Sequence, residues 1–139
     1  MAAAAGLLLA ATLMAKAALA QNKPAPPPGK AGPQTTLSGI YTAAQAAKGE
    51  DIYYAQCISC HPKGTYAGAG FKSNWAGKQL SELFDWVLTK MPKNDPGTLS
   101  SAESAQVVAY ILKENSMPAG KTALPDDFGV LQRIRIALK

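Results

Sequence analysis

Apolar positions recur at helical spacing in three stretches of the chain, and no stretch shows a convincing strand alternation. The clearest stripe is Leu80, Leu83, Phe84, Val87 and Met91, at i, i+3, i+4, i+7 and i+11. It predicts a helix over about Leu80 to Lys90, stopped by Pro92 and followed by a turn at Asn94 to Gly97. A second apolar stretch, Val107 to Leu112, predicts a helix from Ser100 to about Asn115, with Ser100 and Glu103 as a capping box. Earlier in the chain, Ala46, Gly49 and Tyr53 share one helical face with Ile52 beside them. They predict a helix from Ala43 to about Cys57, opened by Thr42 with Gln45 three residues on. Gly49 costs such a helix about 1 kcal/mol relative to Ala, so a second helix is expected to pass close to it. Lys63 to Gly77 is rich in glycine and reads as a loop interrupted by Phe71 and Trp75. Beyond Met117 the breakers Pro118, Gly120 and Pro125 end the periodicity, and Asp126 to Leu138 is expected to form a short helix or to wrap the domain. The expected fold class is all-α.

The N-terminal quarter follows other rules. Residues 1–20 are Ala/Leu-rich and end Ala18-Leu19-Ala20, the small-residue pattern of a signal-peptide cleavage site. The uninterrupted apolar run stops at Ala15, short of the roughly 20 residues of a spanning helix, so cleavage after Ala20 is favoured over a membrane anchor. No Lys or Arg precedes the apolar run, which departs from the usual signal-peptide pattern. Residues 21–37 form a Pro-rich linker, with Pro24, Pro26, Pro27, Pro28 and Pro33 among Gly, Lys and Ala. The folded domain is expected over 38–139, with 117–139 as a C-terminal extension.

Size and charge narrow the function. A chain of 139 residues holds one small domain plus tails, and such a domain has a marginal core. The net charge is +5, without a Lys/Arg run or stripe, which argues against a nucleic-acid partner. A moderately basic surface suits an acidic protein partner.

The chemistry is concentrated in one run, Cys57-Ile58-Ser59-Cys60-His61, which holds both cysteines and the single histidine of the chain. C-x-x-C-H reads as a c-type haem attachment site: two thiols add to the haem vinyl groups and the adjacent imidazole binds iron. The rivals fit less well. A structural zinc site needs four ligands, and no second cluster exists. A redox C-x-x-C opens a helix, whereas this one closes a helix before Pro62. A disulfide across two residues is strained and leaves His61 without a role. Haem iron on His61 needs a sixth ligand or an open site. With no other histidine, the candidates are the thioethers of Met91 and Met117, each followed by proline. Met91 is favoured because it ends an apolar stripe just before a turn.

These residues together resemble a class I c-type cytochrome. The resemblance covers nearly all of Ser38 to Ser116. It rests on Gly49, Tyr53 and Cys57 at successive spacings of four, on Cys57 to His61, on Met91-Pro92, and on Leu99-Ser100 leading to Val107 through Leu112. It implies a cytochrome c fold, three main helices around one covalently bound haem, with Gly49 and Tyr53 packed on the last helix near Ala109-Tyr110. The stretch from Trp75 to Met91-Pro92, then Pro96 to Ser100 and Met117 to Gly120, is similar to a subgroup found beside quinoprotein dehydrogenases. The proline whose carbonyl commonly orients the imidazole in that family is missing. Gly68-Ala69-Gly70-Phe71 stands in its place, and some carbonyl of that loop is expected to substitute.

The reading is a periplasmic, soluble electron-transfer protein without enzymatic activity, with one haem c held by Cys57, Cys60, His61 and Met91. Its partners would be redox proteins: a dehydrogenase as donor, an oxidase or another cytochrome as acceptor. Membrane association is expected only if residues 1–20 are retained. The alternative is a haem enzyme or gas-binding sensor with an open sixth position, and a non-haem thiol protein is the third reading. Tyr66, Phe71 and Trp75 are expected to wall the haem pocket, with the Trp75 indole able to donate to a haem propionate. Lys63, Lys72, Lys78, Lys90 and Lys93 flank the haem-bearing segments, either as plain solvated surface or as a docking ring.

Overall fold

The computed structural model describes residues 34–138; the expected signal peptide and the linker up to residue 33 lie outside the described residues. Helix α1 (Ala43–Gln56) begins where Thr42 accepts a hydrogen bond from the Gln45 N–H at 3.1 Å. The reciprocal half of the expected capping box is absent. The Gln45 side chain instead donates to the Leu124 carbonyl and accepts from the Leu124 N–H, tying the C-terminal segment to α1.

Next come α2 (Gly68–Trp75), α3 (Leu80–Lys90), α4 (Ser101–Glu114) and α5 (Phe128–Leu131). Both halves of the Ser100–Glu103 capping box form on α4. Leu80, Leu83, Phe84 and Val87 turn the stripe of α3 into the core, where all four are buried. This is the all-α architecture expected from the apolar periodicity.

The crossing of α1 and α4 depends on Gly49. A Cβ at that position would lie 1.8 Å from the Gln106 carbonyl oxygen, closer than any non-bonded pair can stand. Ala46 and Tyr53 flank the contact and are buried, and the Tyr53 and Tyr110 rings pack tilted at 5.1 Å. Gly49→Ala gains helix propensity, yet it strikes backbone that cannot rotate away. A net loss at the upper end of the ~1–3 kcal/mol typical of overpacking is expected, read as a lower denaturant midpoint.

Two expectations are corrected. Lys63–Gly77 is not all loop, because residues 68–75 are helical. Gly68 and Gly70 hid this helix, whose stability comes from burying Phe71 rather than from local propensity. The domain also starts before residue 38. Strand β1 (Gln34–Thr35) pairs in parallel with β2 (Ile134–Arg135), and Thr36 is fully buried with its hydroxyl bonded to both the N–H and the carbonyl of Ala137. Composition alone assigns these residues to the linker, since a two-residue strand exists only through its distant partner. The C-terminal extension both forms a short helix, α5 packed on α3, and wraps the domain, with the Ile136 carbonyl and N–H bonded to Gly77 and Lys78. Among the described residues no helix is long and apolar enough to cross a membrane.

Candidate functional site

Helix α1 runs out at the C-x-x-C-H run. Cys57 caps it, donating its N–H to the Tyr53 carbonyl at 2.8 Å. The Cys57 carbonyl then accepts from the N–H groups of Cys60, at 3.1 Å, and His61, at 2.8 Å. This tight turn brings both thiols and the imidazole onto one cavity of about 780 Å³. The Tyr53 hydroxyl donates to the His61 carbonyl at 2.7 Å, so the helix that bears the cysteines also holds the backbone of the histidine.

Met91 lines the same cavity. It is the C-cap of α3, where the backbone leaves helical geometry for an extended conformation. Met117 does not line the cavity. It is buried in the core, and its carbonyl accepts from the Tyr41 hydroxyl at 2.6 Å. The remaining walls are largely apolar, with Leu83 and Val87 from α3, Leu99, and Val107 and Ile111 from α4. The volume falls within the ~300–1,000 Å³ of ligand sites.

Of the aromatic residues expected to wall the pocket, Tyr66 and Trp75 line it and Phe71 does not. Phe71 is needed in the core beneath α2. Lys78 places its ammonium 5.0 Å from the centre of a Trp75 ring. All five lysines proposed to flank the site are exposed, and Lys93 reaches the cavity lining. Sequence reasoning missed Trp86, which lines the cavity while half exposed. Its signal was a large aromatic lying off the apolar stripe of α3.

Burial biases one thiol and two phenols of the pocket toward their neutral forms. Burial pushes the Cys57 thiol above its ordinary pKa, the opposite of the depression that marks a catalytic redox thiol. Burial raises Tyr66 as well, and takes Tyr53 up to about 12. No group of three or more His, Cys, Asp or Glu among the described residues forms a metal cage. The donors that do converge are two thiols, one imidazole and one thioether, on a cavity with apolar walls. That set fits a covalently held macrocycle whose iron takes nitrogen and sulfur.

Residues 44–111 match the family model described as cytochrome c oxidase, cbb3-type, subunit III, a c-type cytochrome domain. No curated protein and no solved structure matches the chain. The matched segment runs from the start of α1 through the C-x-x-C-H turn and Met91 into α4. The match supports a class I c-type cytochrome and, with it, covalently bound haem c and a haem-based electron-transfer role rather than an enzyme. Redox proteins are the partners that such a domain implies.

Proposed function

We propose that this protein is an exported monohaem electron carrier, with haem c attached to Cys57 and Cys60 and its iron held by His61 and Met91. The observation that carries the reading is the convergence of the C-x-x-C-H turn and the Met91 thioether on one apolar cavity. When bound, haem supplies a one-electron couple. The chain's own residues do the rest. Cys57 and Cys60 would fix the macrocycle, His61 and Met91 would hold its iron, and Leu83, Val87 and Ile111 would face it with apolar surface.

Attachment of haem to thiols takes place outside the cytoplasm, which agrees with export into the periplasm and removal of residues 1–20. The resemblance to a subgroup found beside quinoprotein dehydrogenases suggests such an enzyme as donor. The matched family, named for an oxidase subunit, suggests a terminal oxidase chain as acceptor. The exposed lysines and the +5 net charge suit acidic docking surfaces on both.

Absorption spectra of the purified, exported protein with and without carbon monoxide test the reading. Sharp haem c bands that carbon monoxide leaves unchanged in the reduced state are expected. Ready carbon monoxide binding would instead favour a sensor or enzyme with an open sixth position. Absence of a Soret band would leave a thiol protein without haem.

A further inference from the structure

The cavity opens beside one exposed aromatic. Among the described residues three large hydrophobic side chains stand exposed, Tyr54, Trp86 and Phe128, and of these only Trp86 lines the cavity. Trp86 is 50% exposed on α3, the helix that ends at Met91. An indole placed half in water and half on a cofactor cavity is a large apolar surface left to be covered.

Its flanks carry opposite charges. Glu82 lies four residues before Trp86 and Lys90 four residues after it, so the three side chains share one face of α3, each about 6 Å along the axis from the next. Both charged residues are exposed. One oxygen of Glu82 accepts from the Gln79 N–H at 3.0 Å. Among the described residues neither Glu82 nor Lys90 forms a salt bridge within the chain. The face therefore reads acid, aromatic, base along the helix.

This order is complementary to itself. When two copies of α3 are laid antiparallel across a two-fold axis at Trp86, indole meets indole and each Glu82 faces Lys90 of the other copy. Laid parallel, like charges would meet. Residues 34–138 carry ten Lys or Arg against nine Asp or Glu, so two copies approach without strong net repulsion. The other exposed charges of this segment, Asp85, Lys93 and Asp95, are also of mixed sign.

We infer that the Trp86 face of α3 docks on the same face of a second copy of this chain, in a transient two-fold encounter that brings the two cavity mouths together. Its use rests on the haem reading above: a reduced copy passes one electron to an oxidised copy, and the two exchange oxidation states with no bond made or broken. Trp86 supplies the adhesion, as aromatic anchors do at the centre of an interface. The exposed Glu82–Lys90 pairs add little affinity but set the antiparallel register. One helix face is a small contact, as transient redox encounters are.

NMR of the haem-loaded full chain tests this. In the native protein the Trp86 indole N–H signal is expected to move as the concentration rises from micromolar to millimolar, and a mixture of reduced and oxidised protein should show electron self-exchange. Trp86→Ala is expected to slow that exchange about tenfold. Lys90→Glu lowers the net positive charge, so general repulsion alone would make exchange faster. The two-fold contact predicts the opposite, a rate about tenfold slower, because two acids then face each other. Adding Glu82→Lys to Lys90→Glu restores the complementary order and should return the native rate. A Trp86 signal independent of concentration in the native protein would overturn the docking, whether or not the variants fold, and would leave the face to an unlike partner. A Lys90→Glu rate at or above the native one, or a charge-swapped double variant as slow as Lys90→Glu, would overturn it too. Native protein without haem bands would overturn the electron-carrier reading, while the concentration dependence of the Trp86 signal would still decide the contact.

Discussion

If Cys57 and Cys60 carry the haem as proposed, replacing both, Cys57→Ala with Cys60→Ala, is expected to leave a chain without a stable fold. The reason is volume. The cavity facing these residues measures about 780 Å³ in a domain of 105 described residues. At ~24 cal/mol per Å³ of unfilled core, a void of that size would cost about 19 kcal/mol, above the ~5–15 kcal/mol that holds a domain together. The cavity is open on one side and water can enter, so the full figure is an upper bound. Without the macrocycle, Leu83, Val87, Leu99, Val107 and Ile111 would face water on that side. Circular dichroism and amide exchange of the double variant check this: weak helical signal and uniformly fast exchange are expected. A cooperative unfolding transition at native temperature would show that the polypeptide completes its core without the macrocycle.

Met91→Ala is expected to leave the fold in place and change the iron. Removing the thioether opens the sixth position, so the reduced protein should bind carbon monoxide. Sulfur favours the ferrous state, so the potential should fall, on the order of 100 mV within the ~0.8 V range that axial ligands span. Met117→Ala should behave in the opposite way. Met117 is buried away from the cavity, so its truncation should cost about 2–5 kcal/mol of stability while the iron stays closed to carbon monoxide. Potentiometry, carbon monoxide titration and denaturant unfolding of the two variants separate the roles. Carbon monoxide binding in Met117→Ala but not in Met91→Ala would reverse the ligand assignment.

The contrast between the two methionines shows where sequence reading had purchase. Both precede proline, and residue type alone could not rank them. Met91 stood out because it closes the periodic stripe of α3, and a residue at a helix end is placed by local geometry. Gly49 was legible for a similar reason: a glycine inside a helix is a local cost that calls for a neighbour, and Gln106 is that neighbour. Phe71 was misplaced, and α2 was missed, because Gly68 and Gly70 erase the local signal. Burial against residues distant in the chain makes that helix. The β1–β2 pair and the buried hydroxyl of Thr36 were invisible, since their partners lie about a hundred residues away.

By itself the sequence determined the C-x-x-C-H run and the three longest helices. Cysteine spacing, an adjacent histidine, helical periodicity and capping residues all act over a few residues, so a linear reading captures them. Only the tertiary structure decided how the histidine is held. Tyr53 is eight residues from His61 and Tyr66 is five, close in sequence, yet no spacing rule says that one bonds its carbonyl and the other faces its ring. That arrangement follows from the tight turn at Cys57 and from Asn115 tying Tyr66 to the end of α4. A hydrogen bond requires an oxygen within about 3 Å at a suitable angle, and packing between distant segments sets that distance.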